Sequence, residues 1–159
     1  MPALRAALAE AGFGEVRTYV QSGNIVLESE REPAEVVESV SRVLFERFGL
    51  DVQVVLRTAD ELVEVVARNP FDEEAAINPK ALQVTFRGNE VQPDAIAALQ
   101  DRAAPSEKVA AVGREIYSWH PDGIARSKLA VAITPRNTTA TARNWKTVTT
   151  LLEMATDAA

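Results

Sequence analysis

Hydroxyls, bases and an amide crowd one late segment. Thr138, Thr139, Thr141, Arg143, Asn144 and Lys146 lead into an apolar stripe of Trp145, Val148, Leu152 and Ala155, the spacing of a closing helix. A helix N-terminus carries unpaired N–H groups and a partial positive charge, so it favours acids. Bases placed in that first turn cost about 0.3–1 kcal/mol each. A bound phosphate or carboxylate would offset the cost, using N–H groups, threonine hydroxyls and an arginine fork together. Thr141, Arg143, Asn144 and Lys146 are therefore the leading candidate ligand-binding residues. The simpler reading takes the offsetting charge from the protein's own acidic first half, with Asn144 tying down a loop.

Weaker candidates lie elsewhere. Lys128, with Arg126, stands near the start of another short helix, where most such charges are solvated. Gln21 and Asn24 flank Ser22-Gly23, and a loop tip of this composition can hydrogen-bond a ligand. Ser-Gly and Gly-Asn are equally the residues a tight hairpin uses to reach positive φ. His120, the sole histidine, could exchange protons near neutrality. It precedes Pro121-Asp122-Gly123, a turn signal, and reads more simply as a hairpin-end residue with no partner visible in the sequence. Glu28, Glu30 and Glu32, and Asp72, Glu73 and Glu74, fall in loops and read as solvated charge. Tyr117 and Trp119 share a strand face, as in some RNA-binding sheets, but no basic-aromatic string accompanies them and the face is expected to be covered.

Several chemistries are excluded or unsupported. With no cysteine and one histidine, neither a multi-histidine metal site nor a thiolate site can form, and no metal or cofactor is expected. Dinucleotide, P-loop, zincin and nucleophile-elbow motifs are absent. No apolar run approaches a membrane span, and cysteine-free composition fits a cytoplasmic, soluble protein. The net charge of −6 argues against general nucleic-acid binding. It is unevenly spread: residues 1–79 carry 7 basic and 15 acidic side chains, residues 80–159 carry 10 and 8.

The elements that must position these residues follow from periodicity. Residues 3–11 read as a helix stopped at Gly12. Glu15–Gln21 and Asn24–Glu28 read as a hairpin, and Pro33 opens a helix that ends at Gly49. Val52, Val54 and Leu56 alternate as a strand should. Thr58 and Glu61 have the spacing of a capping box, and Asn69 to Pro79 is the expected connector. The second half reads as strand Lys80–Arg87, a helix after Pro93, a hairpin of Glu107–Val112 and Arg114–His120 about Gly113, a helix over Ile124–Ile133, a brief strand within 136–141, and the closing helix. The two halves match as α+β, ferredoxin-like βαββαβ units, antiparallel sheets covered by helices, if the first half lacks its opening strand. The organisation expected is 1–69, a connector 70–79, and 80–159, with an unpaired edge in the first sheet.

Four local strings carry a resemblance: Tyr19-Val20-Gln21-Ser22-Gly23-Asn24, Asn69-Pro70-Phe71, Ser127-Lys128, and Thr141-Ala142-Arg143-Asn144-Trp145 followed by Thr147-Val148. In order and spacing the chain resembles the bacterial domain of unknown function 1697 family over nearly its whole length. The resemblance implies two ferredoxin-like halves and supplies no reaction. It also implies a further N-terminal strand with an Arg-Gly-Ile-Asn signature, with Met1 falling where the family's first helix begins. The chain is then expected to start one strand late, Met1 being internal to a longer product. The functional expectation is a small anionic ligand bound at the last helix's N-terminus. Two alternatives stand beside it: an interaction protein whose basic cluster bridges the halves, and an enzyme on a phosphorylated metabolite. Oligomeric state is not legible.

Overall fold

A computed structural model describes residues 2–20, 23–135 and 138–157. In chain order the elements are α1 (Pro2–Glu10), β1 (Gly14–Tyr19), β2 (Asn24–Glu28), α2 (Pro33–Phe48), α3 (Ala59–Ala67), α4 (Asp72–Ile77), β3 (Leu82–Phe86), α5 (Pro93–Arg102), β4 (Lys108–Val112), β5 (Glu115–Trp119), α6 (Lys128–Ile133), β6 (Thr141–Asn144) and α7 (Trp145–Asp157). The fold is α+β with two antiparallel sheets. Two compact units divide the chain: Met1–Glu61 with Thr150–Ala159, and Leu62–Thr149.

In the first unit, β1 and β2 pair antiparallel. One core gathers Leu4 and Leu8 of α1, Phe13, and Val36, Val40 and Leu44 of α2, with Ile25, Leu27, Val54 and Leu56 packed against it. Helix α2 begins with Pro33 in its first turn, where a missing N–H costs nothing. It ends at Gly49, whose φ of 65° permits the left-handed cap donating to Phe45 O. Thr58 and Glu61 form the capping box: Glu61 N–H donates to Thr58 Oγ1 at 3.1 Å, and Thr58 N–H to Glu61 Oε1 at 2.9 Å.

The expected strand at Val52–Leu56 is not one: residues 51–58 carry no helix, strand or turn. The reason is topological. In a βαββαβ sheet the last strand pairs only with the first, and among the described residues β2 has β1 as its sole ladder partner. Val54 and Leu56 pack against the core, and among the described residues no strand pairs with them. The unpaired edge expected from matching the halves is present.

The second unit runs β3-α5-β4-β5-α6-β6, with sheet order β4-β5-β3-β6 and every pair antiparallel. This is the ferredoxin-like arrangement, with β3 and β5 central. Strand alternation places Ile116, Val109 and Ala111 on one face, where they pack with Leu99 of α5 and Leu129 and Ile133 of α6. On the opposite face lie Leu82, Val84, Phe86, Tyr117 and Trp119, all buried. Tyr117 is fully buried there and its hydroxyl donates to Val65 O of α3 at 2.6 Å. Burial, with the charge of Glu115, raises its pKa despite Arg68. Lys108 pairs with Glu74 of α4 at 2.8 Å.

Three further expectations are corrected. The connector contains a helix, α4, because Asn69 Oδ1 accepts the Phe71 N–H at 2.9 Å and turns the chain after Pro70 into it. Helix α6 starts at Lys128 rather than Ile124, because Ser127 caps it by accepting the Ala130 N–H. The brief late strand is Thr141–Asn144, held by β3. Arg143 therefore lies on a strand and not in the first turn of α7, which begins at Trp145.

Candidate functional site

At one end of the second unit's sheet, four polar side chains meet out of solvent. Ser118 and His120 are two residues apart along β5 and its continuation, so they share a face, and each is 1% exposed. His120 Nε2 lies 2.8 Å from Ser118 Oγ, and Nδ1 lies 2.8 Å from Glu107 Oε2 and 3.1 Å from Ser127 Oγ. Ser127 also donates to Glu107 Oε2 at 2.6 Å, while the Ala104 N–H donates to Oε1 at 3.0 Å. Burial opposes ionisation of Glu107, but the hydrogen bonds from Ser127, Ala104 and His120 outweigh it and hold the carboxyl below its ordinary value. Hydroxyl to Nε2 and Nδ1 to carboxylate is the connectivity of a nucleophile–base–acid triad. Ser118 is sealed at 1% exposure, however, so no substrate reaches its oxygen, and the cluster acts as a satisfied buried network.

The segment expected to bind an anion forms the β6–α7 junction. Thr141 and Arg143 occupy one face of β6, opposite Phe86 and Val84 of β3. Arg143 is half-buried, donates from Nη1 to Ala142 O at 2.8 Å, and is pulled below its ordinary pKa by that burial. Asn144 caps α7, its Oδ1 accepting the Thr147 N–H at 2.9 Å, and the Trp145 N–H is taken by Pro79 O at 3.1 Å. Two donors that an anion would have used are thus occupied by the protein. Lys146 is exposed in the first turn of α7, and Lys128 is exposed at the start of six-residue α6. The structure brings Thr141, Arg143, Asn144 and Lys146 together along the chain. Asn24 belongs to the first unit, where it is 6% exposed and its Nδ2 donates to Tyr19 O at 3.0 Å, closing the hairpin. Gln21, like Ser22 and Arg136, lies outside the described residues.

A cleft of about 380 Å³ opens within the second unit between α5, α6 and the sheet. Among the described residues its polar lining is Arg87, Arg102 and Thr138 and its buried floor Leu99, Ile116 and Ile133. Arg102 is exposed in the last turn of α5 and makes no hydrogen bond or ion pair among the described residues. Thr138 Oγ1 accepts the Ala140 N–H at 3.0 Å, which leaves its hydrogen to donate.

Glu107, Ser118 and Ser127 were missed as partners of His120, and Arg87 and Arg102 as lining of one cleft. The first omission had a signal: the hairpin about Gly113 aligns Lys108 with Trp119, so Glu107 falls beside His120. The second had none, because the two arginines are distant in sequence and reach one cleft only through packing. No group of three or more histidines, aspartates or glutamates among the described residues could hold a metal. No described helix is long and apolar enough to cross a membrane.

The family model described as Protein of unknown function (DUF1697) matches residues 1–117. The conserved bacterial protein SP0830 from Streptococcus pneumoniae has a similar structure, with a TM-score of 0.75 at 19% identity, covering 98% of this chain and 88% of that one. No curated protein matches. The chain belongs to the DUF1697 family.

Proposed function

We propose that this DUF1697 member is a ligand-binding protein whose second unit takes a small anion in the cleft between α5 and α6. The observation that carries the reading is the lining: the exposed Arg102 guanidinium, without a side-chain partner among the described residues, and the Thr138 hydroxyl share one cleft, which Arg87 also borders. Arginine forks match carboxylate and phosphate oxygens with two parallel hydrogen bonds. The anion expected from the sequence is retained, and its place moves from the first turn of α7, whose donors are partly spent, to a cleft that Thr138 of the same segment lines. Arg143, Asn144 and Lys146 then serve the β6–α7 junction itself. A cytoplasmic setting is in keeping with a sequence free of cysteine. An enzyme reading has less support, since the triad-like Ser118 is closed to substrate.

A thermal-shift titration tests this. Inorganic phosphate or hexanoate at a hundredfold excess over Kd is expected to stabilise the wild type by about 2.7 kcal/mol, and Arg102→Ala to abolish most of the shift. Failure of every anion to raise Tm, or an unchanged shift in both Arg102→Ala and Arg87→Ala, would remove the reading.

A further inference from the structure

Helix α2 carries apolar side chains beyond the one stripe its core needs. Val36, Val40 and Leu44 form that stripe and are buried. Phe45 and Phe48, three residues apart and so on one face, are 61% and 38% exposed. Past the left-handed turn at Gly49, Leu50 and Val52 are 47% and 52% exposed. Single apolar residues on a surface are ordinary, but four large ones between positions 45 and 52 mark an interaction surface.

The charges at this helix end select what covers it. Arg42 is held by Glu38 at 2.7 Å and Arg47 by Glu10 at 2.8 Å. Glu46 and Asp51 are exposed, and neither carboxylate has a hydrogen bond or ion pair among the described residues. The unit around them carries 6 basic and 13 acidic side chains. A second copy would bring the same negative charge to the face, and so would an anionic lipid surface, so both are repelled. We propose that this face docks a basic amphipathic segment of another protein. Its apolar anchors, at helical spacing, cover Phe45, Phe48, Leu50 and Val52, and its lysines or arginines lie beside Glu46 and Asp51. The proposal goes beyond the anion reading, which concerns the second unit, and stands or falls separately from it.

The probe is a labelled peptide of about fifteen residues with leucines on one helical face and lysines on the other. It is titrated with the full chain and followed by fluorescence anisotropy. Expected is binding that weakens several-fold as salt rises from about 50 to about 300 mM. Phe45→Ser and Phe48→Ser should each weaken it about tenfold. Glu46→Lys combined with Asp51→Lys should weaken it at low salt and much less at high salt. All four positions are exposed, so urea unfolding of the variants should stay near that of the wild type. A leucine–glutamate peptide of the same spacing should not bind. No binding by the leucine–lysine peptide, or unchanged binding in both phenylalanine variants, would overturn the proposal. Equal binding by a scrambled peptide of the same composition would also overturn it, leaving charge alone. Self-association in sedimentation that Phe45→Ser abolishes would give the face to a second copy instead. Binding to phosphatidylserine vesicles that the same variant abolishes would give it to a membrane, and either result overturns the proposal.

Discussion

In the β4–β5 hairpin each residue faces the one equally distant from the Gly113–Arg114 turn, and this places Glu107 beside His120. A buried imidazole needs partners for both nitrogens, and here a carboxylate faces Nδ1 while a hydroxyl, able to donate or accept, faces Nε2. His120→Ala takes away the imidazole partner of buried Ser118 and one of the partners of Glu107, which keeps Ser127 and Ala104, and it empties a buried site, so a loss of about 2–4 kcal/mol is expected in urea unfolding at neutral pH. A loss below 1 kcal/mol would show that water replaces the ring. The carboxyl of Glu107 is held below its ordinary value, so between the folded and unfolded pKa values the unfolded chain binds more protons. The contribution is present at neutral pH, above the unfolded pKa, and is lost as pH falls through the folded one. Glu107→Gln should therefore be less stable than wild type at neutral pH, with the two Tm curves converging in acid. Parallel curves would contradict this.

Among the elements, helix ends are where single residues decide most. Gly49 holds φ at 65°, a conformation that costs an L side chain roughly 1 kcal/mol. Nothing lies within 4 Å of a Cβ built there, so Gly49→Ala isolates the backbone term from any clash. A destabilisation of about 1 kcal/mol by urea unfolding is expected; a neutral result would mean that the left-handed cap is not required. The helix ends were also the most legible elements in the sequence. Pro33, Gly49 and the Thr58–Glu61 box each act within a few residues, and each appears where the sequence placed it. The β6–α7 boundary was not legible: Arg143 and Asn144 suit a helix start by residue type, but pairing with β3 draws them into a strand.

Across the whole molecule the two units differ in how their sheets are finished. The second unit's central strands β3 and β5 are paired on both sides and buried on both faces. In the first unit β2 has one ladder partner among the described residues, and residues 51–58 have none. Opening free energy follows pairing and burial. Amide hydrogen exchange should therefore be slowest at Val84 and Tyr117 and fast throughout 51–57, with Asn24–Glu28 between them. Protection at 51–57 equal to that of β3 would show that this segment is paired in solution.

The sequence by itself determined what depends on neighbours along the chain. It set the α+β class, the capped helices, the two hairpins, and the match between halves that exposed an unpaired edge, because periodicity and turn chemistry are local. It also grouped hydroxyls and bases late in the chain, but it put Arg143 in a helix's first turn, and the structure puts it on β6. Only the tertiary structure decided which groups meet. Glu107, Ser118, His120 and Ser127 converge through strand register and a helix cap. Arg87, Arg102 and Thr138, distant in sequence, line one cleft between α5, α6 and the sheet. The physical reason is that side-chain convergence is set by packing between elements distant in sequence. A single chain's composition and spacing do not encode it residue by residue.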